Sequence, residues 1–316
     1  KSGQALSGHA GFLPDGEVGE RKNWVGMLPE YIYSKHPAFE ETLAPPGHTL
    51  VQPERGAEGP PLEDIPGIWN FRVKPGADVR FDDLRYGTHA VDSYEVLRRL
   101  RDDGVIDQGV RFQLSIPATC SAIDWNFENP DDWPALYRAY NDRIREEIAV
   151  ALAAIPADDL VIQWDVAWEF VDMAVGDKRL FAFFPTLSVE EKFQRYAAQL
   201  DELWQGIPDD TLLGYHWCYG TWGGWPMVPM PDLALCVRMS NEAARRTGRR
   251  LDYVHMPVVR KPTAEFFAPL ADLDIGDTKV FLGMVHHTDE IADFVRRRDL
   301  ARAHLADFGI AGVCGY

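Results

Sequence analysis

From residue 105 onward the apolar positions fall into runs of two alternating kinds. GVRFQLSIPAT (109–119), LVIQWDVAWEF (160–170), TLLGYHWC (211–218), LDYVHMP (251–257), KVFLGMVHH (279–287) and IAGVCGY (310–316) are short and nearly continuously apolar. That is the pattern of strands buried on both faces. Between them, residues 131–155, 188–207, 231–248, 261–273 and 288–309 carry apolar residues at spacings of three and four, which predicts helices with one buried face. The boundary chemistry agrees. Asp131 or Asp132 caps a helix with Pro134 in its first turn. Ser188 opens the next, with Glu190 and Glu191 behind it. Gly309 stops the last.

Six strands separated by five helices predict βαβ units and a parallel sheet. The first hundred residues are less regular. ALSGHAGFLP (5–14) predicts one strand, GIWNFRVKPG (67–76) or DDLRYGTHAVD (82–92) another, and SYEVLRRLRDDG (93–104) a helix. Two strands added to six make the count of a (β/α)8 TIM barrel, an α/β fold expected as one domain over residues 1–316. The alternative is a doubly wound open sheet, but no GxGxxG follows any strand. PGHTLVQPERGAEGPPLEDIPG (46–67) is expected as an excursion loop. The helix that normally covers an eighth strand is expected either beyond the given chain or replaced by an unusual closure.

Charge narrows the partners. The 316 residues carry a formal net charge of −17, which argues against nucleic acid or an anionic membrane surface as the main partner. No apolar run approaches the length of a membrane span. The start of the chain shows no signal-peptide pattern. Cys120, Cys218, Cys236 and Cys314 are widely spaced, without a CxxC, so no disulfide framework is expected and a reducing, cytoplasmic setting fits.

In a barrel, chemistry collects at the carboxyl ends of the strands. There the sequence places Thr119 and Cys120, Asp165 and Glu169, His216 and Cys218, His255, His286, His287 and Asp289, and Cys314. Four of the nine histidines and three of the four cysteines thus fall on one predicted rim, as a metal site requires. His216 and Cys218, two apart on a strand, point the same way. With Cys314 they make three donors of the kind Zn2+ prefers, leaving a fourth position for substrate. The competing reading is a core histidine with two buried thiols. Asp165, a carboxylate in an apolar strand, is either in a substrate pocket or tied to an arginine such as Arg260. His286 and His287 are either proton donors to a leaving group or exposed residues at a helix start. In GTWGGWPM (220–227), Trp222 and Trp225 either wall a pocket or pack a loop. Glu169, Thr119 and Arg260 are further substrate-contact candidates. Cys120 and Cys236 read as core. Glu17, Glu20 and Arg21 either line the rim or form a solvated loop.

GYHWCYG followed far downstream by GVCGY resembles the catalytic barrel of cobalamin-independent methionine synthase. It also resembles the related epoxyalkane:coenzyme M transferases, in the superfamily that includes uroporphyrinogen decarboxylase. IQWDVAWE is similar to the segment that sets an aspartate in the family's substrate pocket, and GFLPDGEVGERKNW to its opening strand. The resemblance implies zinc held by His216, Cys218 and Cys314, with His255 where a fourth ligand is expected and Asp165 in the pocket. It implies a small-molecule thiol that attacks the methyl or epoxide carbon of an alkyl donor, as a methyltransferase or in the lyase direction. The chain departs from the family in three places. The residues given are expected to hold one barrel rather than the family's two, the expected glutamate ligand is a histidine, and GMVHHTDE stands in place of an Asp-x-His segment. Without the second barrel, a donor other than folate, such as a partner corrinoid protein, is an expectation. A metal-free decarboxylase or lyase and a non-catalytic zinc-binding barrel are the alternatives.

Overall fold

The computed structural model describes residues 10–15, 26–43, 69–127, 129–175, 186–221, 225–228, 230–287 and 289–314. Strand β1 is Phe12–Pro14, and β2 (Phe39–Leu43) and β3 (Asn70–Val73) pair antiparallel as a separate ribbon. Helix α1 (Tyr86–Asp102) leads to β4 (Arg111–Pro117), the short α2 (Thr119–Ile123) and the long α3 (Trp133–Ala154). Then come β5 (Leu160–Val166), α4 (Trp168–Val175), α5 (Val189–Ala198), β6 (Leu212–Trp217) and α6 (Ala234–Arg246). The chain continues with β7 (Tyr253–Pro257), β8 (Lys279–Val285), α7 (Ile291–Arg302) and β9 (Gly309–Gly312). Seven strands form one sheet in the order β1-β4-β5-β6-β7-β8-β9, and its register-defined pairs are parallel.

The α/β class and the alternation from residue 105 onward therefore hold, but an eight-stranded barrel does not form among the described residues. Neither candidate for the missing strand enters the large sheet. Asn70–Val73 alternates: Phe71 is buried while Arg72 points out to Glu40 across the ribbon. That half-buried alternation suits an antiparallel pair, not a strand covered on both faces. Residues 82–92 run into α1 instead. Arg85 precedes the helix with a positive φ of 66°, and the first turn is held by a carboxylate from α3. Glu147 accepts from the Leu84 and Gly87 backbone N–H groups, each at 2.8 Å. Phe39–Leu43 and α2 were not predicted, and 168–170 begin a helix rather than ending a strand. Residues 265–272 wind as a 3-10 helix with Pro269 inside it.

By contact clustering the chain forms two compact units. The first comprises residues 1–50, 66–164 and 204–213. Its ribbon buries an aromatic cluster in which Phe127 meets Phe39 at 4.8 Å and Tyr33 at 5.2 Å between ring centroids. Its helices α1 and α3 approach closely at Gly87, where a methyl carbon would stand 2.7 Å from the Glu147 carbonyl oxygen. The second unit comprises the described residues of 165–203 and 214–316. It holds α4 against α5 with a fully buried ion pair, Lys192 to Asp172 at 3.1 Å, to which the Tyr196 hydroxyl donates at 2.8 Å. Ser188 and Glu191 form the reciprocal cap that starts α5. Among the described residues no helix is long and apolar enough to cross a membrane.

Glu147 is a buried carboxylate that satisfies two helix-start donors and pairs with Arg143 at 2.8 Å. Glu147→Ala would leave those groups without their acceptor, at a cost of about 2–4 kcal/mol. Urea unfolding is expected to show a lower midpoint at unchanged slope; an unchanged midpoint would contradict the capping role.

Candidate metal centre

The alternation of β6 sorts its last residues onto two sides. Tyr215 and Trp217 stack on one side, and the Trp217 indole N–H donates to Ser240 of α6 at 2.8 Å. His216 and Cys218 face the other. Cys218 continues the ladder beyond the strand, its N–H donating to the Val166 carbonyl of β5 at 2.8 Å. Two residues after β9 comes Cys314, whose sulfur lies 3.4 Å from that of Cys218. The donor atoms of His216, Cys218 and Cys314 all fall within 4.8 Å of one another. The structure thus brings together the three residues singled out as a triad from their positions in the sequence.

His216 and Cys218 are buried, and Cys314 is half-buried. His216 is 4% exposed, and neither of its ring nitrogens meets a hydrogen-bond partner. Burial, then the neighbouring His255 ring, push its pKa well below the ordinary imidazole value; the nearby His255 backbone opposes this only in part. A neutral imidazole is the form that binds a metal. Two thiols and one imidazole are a donor set that zinc selects, and coordination would satisfy a buried ring nitrogen that otherwise has no partner. The residues present therefore fit the ion.

His255 sits beside this cluster without joining it. It pairs in register with His216 across β6 and β7, and the two rings stack with centroids 4.3 Å apart and planes 27° from parallel. Burial lowers the His255 pKa to about 4, and its Nε2 is buried without a hydrogen-bond partner. Gly283 of β8 makes room for that nitrogen: a methyl carbon there would stand 2.6 Å from it. The sequence analysis did not single out this glycine. Its only signal was a glycine inside the apolar run KVFLGMV.

The other candidates have varied surroundings. Asp165 is buried near the end of β5 and raises the pKa of Tyr253 through its charge. Arg260, the partner considered for Asp165, pairs with Asp289 at 3.4 Å. Asp289 also holds the fully buried Arg297, whose guanidinium donates to the Met284 and Arg260 carbonyls at 3.1 and 2.7 Å. Glu169 is wholly buried and accepts from Gln199 at 2.8 Å. Thr119, in the first unit, donates to Asn141 at 2.6 Å. His286 is half-buried, its Nε2–H donating to the Val258 carbonyl at 3.0 Å, and its ring meets Trp225 edge-on at 5.4 Å. Burial and then the Arg297 charge lower the His286 pKa to about 4. His287 is exposed, while Trp222, Glu17, Glu20 and Arg21 lie outside the described residues. Cys236 is core, its thiol pushed up to about 12 by burial and 3.4 Å from the Tyr219 hydroxyl.

Solved structures share the fold. One is a protein of Listeria monocytogenes assigned provisionally as a vitamin-B12 independent methionine synthase, at TM-score 0.51 and 15% identity, covering 78% of this chain and 66% of that one. Another is a B12-independent methionine synthase from Shewanella sp. W3-18-1, in complex with selenomethionine, at TM-score 0.50 and 13% identity, covering 78% of this chain and 64% of that one. This chain thus spans a little under two thirds of the length of each. No protein-family model and no curated protein sequence matches it. At such identities the likeness establishes a methionine synthase-like fold.

The buried histidines set an acid limit on the metal-free protein. The folded pKa of His255 is about 4, below the ordinary 6.5, so as pH falls through 6.5 the unfolded chain takes up a proton that the folded one refuses. The stability is full above pH 6.5 and is lost as pH falls towards 4. This one group predicts a loss of about 2 kcal/mol between pH 7.5 and 5. His255→Gln should flatten the stability–pH curve in that window by that amount, measured by urea unfolding in chelator. Parallel curves would contradict the assignment.

Proposed function

We propose that this chain is a zinc-dependent alkyl-transfer enzyme acting on a thiol, with the metal held by His216, Cys218 and Cys314. The observation that carries the reading is the convergence of one imidazole and two thiols, from opposite ends of residues 214–316, to within 4.8 Å. Three ligands of this kind leave a position for substrate, the arrangement of catalytic rather than structural zinc. Bound there, zinc would favour the deprotonated, nucleophilic form of a substrate thiol at neutral pH. The likeness in fold to proteins named as methionine synthases supports methyl transfer as the reaction class.

The chain's own residues would do the rest. The buried walls of β6 and β7 exclude water from the thiol. Asp165 orients the electrophile with its carboxylate. His286, kept neutral with Nε2–H committed to the Val258 carbonyl, offers Nδ1 as an acceptor. We assign delivery of the leaving-group proton to His287, whose ring is exposed. Trp225 borders His286 and walls the electrophile's side. Glu169 and Arg260 are proposed as further substrate contacts, Arg260 through its pairing with Asp289. A small-molecule thiol and an alkyl donor, the latter carried by a corrinoid partner, are the proposed reactants. A cytoplasmic location is proposed with them.

Metal analysis of the purified chain tests this. About one zinc per chain is expected, and Cys218→Ser with Cys314→Ser should abolish it while the fold, followed by circular dichroism, persists. No zinc after reconstitution would overturn the proposal.

A further inference from the structure

We propose that His255 is a positioning residue for His216, seated in a slot that the absent side chain of Gly283 leaves open. The inference rests on the metal reading above and deepens it. It removes His255 from the ligand set and gives β8 a part in the site.

An imidazole coordinates through a lone pair in its ring plane, with the metal about 2.0–2.1 Å from nitrogen. The two rings lie face to face, 4.3 Å between centroids. An ion in the plane of His216 would stand off the face of His255, too far out of its plane for a bond. Consistently, His255 contributes no donor to the group formed by His216, Cys218 and Cys314. What His255 offers is a flat surface. Among the described residues no hydrogen-bond partner of normal geometry meets either nitrogen of His216; the His255 backbone is nearby, and the stacked His255 ring is the contact that covers its face. Metal-bound histidines ordinarily take their orientation from a hydrogen bond to the second nitrogen. Here a second ring replaces it.

The slot explains how His255 is itself held. A methyl carbon on Gly283 would stand 2.6 Å from His255 Nε2, 2.7 Å from the Gly312 carbonyl oxygen and 3.0 Å from Val313 Cα. Gly283 therefore touches both branches of the site: the ring that backs His216, and the backbone that delivers Cys314. The pairing of β8 with β9 shifts at this point. Gly283 faces Ala311, yet Val285 faces Gly312, so β8 carries one extra residue. Such a bulge re-aims the neighbouring chain, here the segment that leads to Cys314.

The test loads wild type, His255→Phe, His255→Ala and Gly283→Ala with Co2+ alone. It reads affinity and the visible d–d and sulfur-to-cobalt bands, with circular dichroism checking the fold. A ring without donor nitrogens should serve as a backing surface, so His255→Phe is expected to keep the wild-type spectrum and affinity within about threefold. His255→Ala and Gly283→Ala should lose roughly 10–100-fold in affinity and shift the bands. Should His255→Phe lose cobalt as fully as His255→Ala, His255 is a ligand and the inference is overturned. It is equally overturned if both His255→Ala and Gly283→Ala match wild type. If Gly283→Ala fails to fold, the two His255 variants still decide. Failure of wild type to bind cobalt or zinc would overturn the metal reading, and the positioning role with it. That arm separates the two failures.

Discussion

The site depends on one constraint: buried polar atoms need partners. His216 has two ring nitrogens out of water with no hydrogen bond, and the Cys218 and Cys314 sulfurs lie 3.4 Å apart at the ends of β6 and β9. An unsatisfied buried donor or acceptor costs on the order of 1–3 kcal/mol, and two on one ring are hard to explain as packing. A cation shared by the imidazole and both sulfurs would give one of those nitrogens its partner. The rest of the second unit is arranged around holding those three residues. Tyr215 and Trp217 anchor the opposite face of β6, Val166 ties down Cys218, and Gly283 clears the space at β8.

The surrounding charges are distributed so that they do not compete for this place. Arg297 and Arg260 share Asp289, and Lys192 pairs with Asp172. Glu169 is bonded by Gln199. The acidic excess of the whole chain, −17, is therefore a statement about its surface. Beside the cluster stand neutral rings: His255 directly on His216, and farther along Trp225 on His286. Such a setting suits thiol chemistry, where a desolvated nucleophile meets a weakly polar electrophile.

Much of this was legible in the sequence because it is periodic. Strands β4 to β9 and helices α3, α5, α6 and α7 announce themselves by apolar runs and by caps such as Ser188, and the two-residue step from His216 to Cys218 puts both on one side of a strand. Cys314 was legible because parallel strands deliver their ends to one rim. The amino-terminal region was not. Asn70–Val73 has the composition of a barrel strand, but its half-buried alternation and its pairing with Phe39–Leu43 are tertiary facts. The early start of α1 depends on Glu147, sixty residues away in sequence from Gly87. His255 shows the same limit in the site. Its stacking on His216 depends on ring geometry and on the room left at Gly283, neither of which has a local pattern.

X-ray absorption at the zinc edge of the purified full-length chain addresses the central claim most directly, because it reads the atoms around the ion. The account predicts two sulfur neighbours at about 2.3 Å and one imidazole nitrogen at about 2.0–2.1 Å, with a remaining light-atom position that a substrate thiol converts into a third sulfur. A shell of nitrogen and oxygen alone, or a second imidazole with no change on adding thiol, would contradict it.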